Sequence, residues 1–102
     1  MSAFLEQTIN FATSGNNDLI PAATDKQILL FRLLIVFESA VTIEFRDGAT
    51  NALTGSMTFG AGGSISLDEE DEPWFTTTAG NALVLNLDSA VQVSGRAYYR
   101  TQ

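Results

Sequence analysis

At 102 residues the chain suits one domain that buries roughly 65% of the surface its unfolded form exposes, so it needs no disulfide or metal staple. Twelve acidic against five basic side chains give a net charge of −7 and a pI near 4.1. That balance lacks the phosphate-neutralising patch of a nucleic-acid binder and opposes docking to anionic lipid, while favouring contact with a basic surface on a protein partner. There is no cysteine and no histidine, which excludes a disulfide framework, a thiolate metal site, histidine-assisted nucleophilic catalysis and the commonest zinc ligand.

The opening MSAFLEQTINF has no basic region followed by an apolar core of signal-peptide length, so no secretion signal is expected. Phe4 to Phe11 reads as a strand that ends in a turn, Ser14-Gly15-Asn16-Asn17-Asp18, whose residues tolerate left-handed geometry and hydrogen-bond their own backbone. After Leu19, Ile20 and Pro21, the segment Lys26 to Glu38 holds the most apolar run, Ile28 to Phe37, with Arg32 inside it. A transmembrane helix needs about 20 residues, twice the length of this run, which is therefore protein core or a subunit interface. Thr24 with Gln27 resembles a capping box, yet a helix here would be apolar all round. A long strand buried on both faces agrees better with its β neighbours. Ser39-Ala40 then joins it to the clear alternation of Val41, Ile43 and Phe45.

Beyond the turn signal Arg46-Asp47-Gly48 the segments become short. Met57 and Phe59 flank Thr58, Gly60-Ala61-Gly62-Gly63 makes a link, and Ile65 and Leu67 alternate with Ser64 and Ser66. Five acids, Asp68 to Glu72, stop at Pro73, and Trp74-Phe75 opens a short strand reaching about Thr78 before the turn Ala79-Gly80-Asn81. In Ala82 to Arg100, Leu83, Leu85 and Leu87 share one face, as do Val91, Val93, Ala97 and Tyr99. These two runs read as a β-hairpin turning at Asp88, Ser89 and Ala90. About eight short strands between glycine-containing turns are the pattern of an all-β antiparallel sandwich or barrel, here a single domain over residues 1–102.

The acids offer little catalytic grammar. Asp47 with Glu44, or Asp88 with the acidic run, could in principle form the carboxylate pair of a glycosidase, but the spacing selects neither, and Glu44 and Arg46 share the polar face of their strand. The glycine link lacks the lysine and following helix of a phosphate loop. Asp68 to Glu72 carries the hard oxygen donors that calcium takes, yet consecutive residues do not converge on a cation, so a solvated loop or a contact to a basic partner is expected, with no metal and no cofactor. Asp68, Glu69, Glu70 and Trp74 are the candidate partner contact. Trp74 beside Phe75 is a sugar-stacking platform, a protein contact, or a core-and-rim pair with its indole nitrogen at the surface.

Arg32 should meet a carboxylate or carbonyls, including ones across a subunit boundary, or else snorkel to water from a strand edge. Apolar residues on both faces of Ile28 to Phe37 leave more surface to bury than one side of a two-layer sandwich can cover. Leu30, Arg32, Leu34 and Val36 are accordingly the candidate oligomer interface.

Taken together, Ser14 to Ala22, the strand Ala40 to Phe45, Leu53-Thr54-Gly55-Ser56-Met57 and Ala61-Gly62-Gly63-Ser64-Ile65 resemble a family of small tailed-bacteriophage and prophage proteins. The agreement is best in Trp74 to Leu87, WFTTTAGNALVLNL, followed by Val91-Gln92-Val93-Ser94-Gly95. The five acids depart from it, standing where a short neutral or mildly polar loop belongs. The resemblance implies a jelly-roll-like β-sandwich and a structural virion protein: a capsid decoration or cement protein that binds the major capsid protein as a homotrimer. It implies synthesis in the host bacterial cytoplasm, display on the capsid surface, and no catalysis. The alternative is a tail-associated or receptor-binding module for host surface polysaccharide, with Trp74 stacking on sugar; a carbohydrate-active enzyme ranks below both.

Overall fold

In the computed structural model, which describes residues 4–102, the apolar run Ile28–Phe37 is one extended strand, and no helix occurs among the described residues. Ten strands form: β1 (Leu5–Phe11), β2 (Gly15–Ile20), β3 (Ile28–Phe37), β4 (Val41–Asp47), β5 (Asn51–Ala52), β6 (Met57–Phe59), β7 (Ser64–Asp68), β8 (Phe75–Thr76), β9 (Leu83–Leu87) and β10 (Val93–Thr101). They assemble into two antiparallel sheets. Sheet A runs β1-β10-β3-β7, with β8 also on β3; sheet B runs β2-β9-β4-β5, with β6 also on β4.

β7 and β8 lie end to end along one edge of β3, and β5 and β6 do the same along β4. Each pair is one edge strand interrupted by a loop. Counted that way the sandwich has eight strands, and the chain steps from one sheet to the other after β1, β2, β3, β6, β8 and β9. That order, with chain-terminal β1 and β10 adjacent in sheet A and β2 and β9 adjacent in sheet B, is a jelly roll.

Period-two alternation builds the core. On β4, Val41, Ile43 and Phe45 point inward while Thr42, Glu44 and Arg46 point out. Phe37 of sheet A stacks on Phe59 of sheet B at 4.8 Å, and Phe45 of sheet B on Phe75 of sheet A at 4.9 Å, so aromatic pairs pin the two sheets together at two places. On β3 the alternation slips. Leu30 pairs with Tyr99 and Arg32 with Tyr98, leaving Phe31 as the extra residue of a β-bulge. The inward set therefore changes from Ile28 and Leu30 to Leu33, Ile35 and Phe37. Both Phe31 and Arg32 are left on the outer face of sheet A.

Three expectations are corrected. The runs of Ala82 to Arg100 alternate as expected but do not form a hairpin: β9 sits between β2 and β4 in sheet B, and β10 between β1 and β3 in sheet A. Both strands are flanked on both edges, so neither has an edge left for the other, and alternation tells which way side chains point without telling which sheet they point from. The residues between them arch across the sandwich, held where Thr42 N–H donates to Asp88 Oδ1 at 2.9 Å and Asp88 N–H donates to Thr42 O at 3.0 Å. Secondly, of Ser14 to Asp18 just the Ser14-Gly15 corner turns, with Gly15 at φ +86°; Gly15 to Asp18 already pair with β9 as an edge strand. Its Asn16 is tied into sheet B, Asn16 Nδ2 donating to Ala49 O at 3.0 Å and Asn86 Nδ2 donating to Asn16 Oδ1 at 2.8 Å, while Asn17 Nδ2 donates back to Thr13 O at 2.7 Å. Finally, Trp74 lies outside the short strand that follows it, which is Phe75–Thr76.

Candidate functional site

The interruption of the sheet A edge strand faces the β3 bulge, and the acidic loop occupies it. β7 leaves the sheet after Asp68, opposite Arg32, and β8 rejoins at Phe75, opposite Leu30. The loop base is closed by Glu69 N–H donating to Phe31 O at 3.1 Å and Trp74 N–H donating to Leu30 O at 2.7 Å. Within the loop, Glu69 Oε1 accepts from the backbone N–H of Glu70 at 3.0 Å and Asp71 at 3.4 Å, so one acid is used to shape the turn.

Of the four candidate contact residues, Asp68 and Glu70 are drawn together by Arg32, whose guanidinium pairs with Asp68 Oδ1 at 2.9 Å and with Glu70 Oε1. Arg32 thus meets its carboxylates inside the same chain rather than across a subunit boundary. Glu69 and Trp74 face elsewhere, lining with Glu72 and Pro73 a shallow depression of about 160 Å³. Trp74 is 48% exposed there. Among the described residues no group of three acids could hold a metal ion.

Of the interface candidates, Leu34 and Val36 stand on the outer face of sheet A at 54% and 42% exposure. Leu30 does not join them. It is fully buried between the sheets, because the bulge at Phe31 reverses parity and sends Leu30 inward while Arg32, Leu34 and Val36 point out. The neighbours of the exposed pair are small or paired: Val36 lies between Ser94 and Ser64, and Leu34 between Arg96 and Ser66, with Arg96 bonded to Glu6 at 2.7 Å.

Sequence reasoning missed the aromatic seat on the same face. Arg100 lies 4.3 Å from the Phe4 ring centroid and 4.9 Å from that of Phe31, and the two rings are 5.3 Å apart. The even-numbered polar face of β10 pointed to Arg100, but nothing in the sequence announces the bulge that turns Phe31 outward.

The glycosidase pairs are not assembled from β4. Asp47 points inward at the end of the strand, whereas Glu44 points outward and is bonded to Arg46 at 2.6 Å. Burial pushes the Asp47 carboxyl up. The Thr78 hydroxyl at 2.7 Å, the Thr78 N–H at 2.9 Å and the Asn81 side-chain amide at 3.1 Å together outweigh that and hold it below the usual carboxylate range. An ionised acid saturated by three donors from the Thr77 to Asn81 turn is a clamp between β4 and the entry to β9. The outer face of sheet B is likewise a closed polar lattice, with Arg46 donating to Asn16 Oδ1 at 3.0 Å and Thr42 bonded to Thr58 at 2.9 Å.

No family model matches the chain, and neither a curated protein nor a solved structure matches it.

Proposed function

We propose that this chain is a structural virion protein of a tailed bacteriophage, a decoration or cement protein that binds the assembled capsid as a homotrimer through the major capsid protein. The observation that carries the reading is the jelly-roll strand order, which agrees with what the sequence resemblance to phage proteins implies. Jelly rolls serve viral shells and lectins alike, so the fold enters as an analogy and the surface decides between them. The surface favours a protein contact. The depression beside Trp74 is shallow, and three of the five cationic side chains are occupied by carboxylates of the same chain, Arg32 by Asp68 and Glu70, Arg46 by Glu44, and Arg96 by Glu6. Two aliphatic side chains stand exposed on a sheet face.

The second reading, a receptor-binding module for host polysaccharide, draws on one observation: Trp74 is half exposed beside Glu69 and Glu72, an indole face next to carboxylate acceptors for sugar hydroxyls. Co-sedimentation with purified tailed-phage capsids tests the first reading. Saturable binding without hydrolysis of host polysaccharide supports it; failure to bind capsids, together with Trp74-dependent binding of polysaccharide, replaces it with the second.

A further inference from the structure

Of the four sheet edges among the described residues, three are broken or distorted. β7 and β8 are parted by the acidic loop, β5 and β6 are two and three residues long, and β2 opens at a positive-φ glycine and shifts register between Asp18 and Ile20. Such interruptions keep an edge from pairing with another chain. β1 has none of them. It holds one register against β10 from Leu5 to Phe11, with no proline, glycine or lysine. Its free backbone groups belong to alternate residues. Phe37 N–H donates to Gly63 O and Phe37 O accepts from Gly62 N–H, both at 2.8 Å, so Phe37 turns its backbone away from β10. Val93, opposite it, therefore bonds toward β1, as do Gly95 and Ala97, and these three engage Phe11, Ile9 and Gln7. Glu6, Thr8 and Asn10 are left with N–H and C=O directed outward, and the Thr8 carbonyl accepts from the Gln7 side chain at 3.2 Å.

We propose that β1 is a self-pairing edge, joined antiparallel to β1 of a second copy about a two-fold axis at Thr8. In that register Thr8 faces Thr8, Glu6 faces Asn10 and Leu5 faces Phe11, and each outward N–H meets an outward C=O. The strand is complementary to itself in charge as well. Its one acid, Glu6, meets an amide and is already paired with Arg96, whereas an axis at Glu6 would oppose two carboxylates. Leu5, 47% exposed, gains the partly buried Phe11 of the other copy as an apolar neighbour. β2, the strand of sheet B that β1 touches, adds one acid, Asp18. The acids from Asp68 to Glu72 lie at the opposite edge of sheet A, beyond β10 and β3. Three strand spacings, about 14 Å, exceed the screening length of about 8 Å at physiological salt. The pairing belongs to the free protein and does not rest on the decoration reading, whose homotrimer is the capsid-bound state.

Light scattering coupled to size exclusion, at tens of micromolar protein, should give twice the 11.0 kDa chain mass. Thr8→Pro removes an outward donor and leaves the β10 ladder whole, so it should run as a single chain with its far-ultraviolet circular dichroism unchanged. Two substitutions that remove no backbone group test the register. Asn10→Glu, set against Glu6 of the other copy, should weaken the dimer about tenfold, because the axis doubles each contact, and Asn10→Lys should tighten it. The chain has no cysteine, so Thr8→Cys treated with a short bismaleimide should give interchain cross-links that Ser66→Cys on the far edge strand does not. A monomeric wild type, a multimer that Thr8→Pro leaves intact, Asn10→Glu and Asn10→Lys acting alike, or cross-linking no greater at residue 8 than at residue 66 overturns the proposal. Capsid co-sedimentation is read separately: a free dimer that ignores capsids refutes decoration and keeps this pairing, whereas a free monomer that binds capsids does the reverse.

Discussion

Gly95→Ala is the substitution that most sharply tests how β10 sits in the sandwich. Gly95 lies between Ile9 of β1 and Ile35 of β3, within a ladder that pairs β10 with β3 from Val93 to Thr101. A Cβ placed there falls 1.8 Å from the Leu34 carbonyl oxygen, 2.8 Å from its carbon and 2.9 Å from Ile35 Cα. All three are backbone atoms, so no rotamer change relieves the overlap, and the strands must part locally by roughly 1 Å. Overpacking that side chains can absorb costs about 1–3 kcal/mol; one that must move a central ladder belongs at or beyond the upper end. Against a total stability of about 5–15 kcal/mol, a loss of about 3 kcal/mol is severe. At about 4–8 °C per kcal/mol for a domain near this size, the melting temperature should fall by at least about 12 °C. Urea and thermal melts followed by far-ultraviolet circular dichroism measure it. Gly15→Ala serves as the comparison, because its Cβ meets nothing within 4 Å and its cost comes from φ +86° alone, about 1–2 kcal/mol. A Gly95→Ala protein within 1 kcal/mol of wild type would show that β10 does not approach β3 as described.

The Asp47 carboxyl is held below its unfolded value of about 3.9, so the stability it contributes is present above that pH and is lost as pH falls through its lower folded value; wild type should weaken below about pH 4 and Asp47→Asn should be flatter there in acid melts. At neutral pH, Asp47→Ala should cost about 1–3 kcal/mol by stranding the Thr78 and Asn81 donors, read from the urea midpoint. Phe31→Ala removes the ring between Phe4 and Arg100 and should cost about 3 kcal/mol in the same assay, whereas Trp74→Ala should leave stability within about 0.5 kcal/mol. Melts with and without a chelator should coincide, since the consecutive acids from Asp68 to Glu72 do not converge; a rise of many degrees with calcium would make the loop a metal site.

Much of the sandwich was legible because each strand's alternation is local. Val41 to Phe45, Ser64 to Leu67 and Leu83 to Leu87 lie where their period of two puts them, and Ile28 to Phe37 is extended as expected, but it is not buried on both faces: Ile28, Leu30, Leu33, Ile35 and Phe37 are covered by the opposing sheet, while Leu34 and Val36 stay exposed. What stayed hidden is non-local. Whether β9 pairs with β10 depends on β2, β4, β1 and β3 already holding their edges, which no window around Asp88 to Ala90 contains. Gly15 to Asp18 have the composition of a turn and become a strand because Asn16 finds Ala49, Arg46 and Asn86 across sheet B. The candidate site divides along the same line. Leu34, Val36 and Arg32 share a face as period two requires, but the bulge at Phe31 breaks that period and removes Leu30 from the set. Arg32 was expected to need a carboxylate, and it finds Asp68 opposite it at the end of β7 and Glu70 in the following loop, whose sequence suggests solvent.

The central claim, that the chain is a capsid-binding structural protein, is tested most directly by adding increasing amounts of the purified protein to capsids of a tailed phage stripped of their own decoration protein and pelleting them. Decoration predicts binding that saturates at a fixed number of copies per capsid, raises the temperature at which the shell disrupts, and survives Trp74→Ala. Protein that stays in the supernatant at every concentration, while Trp74 proves essential for binding host polysaccharide, would contradict it.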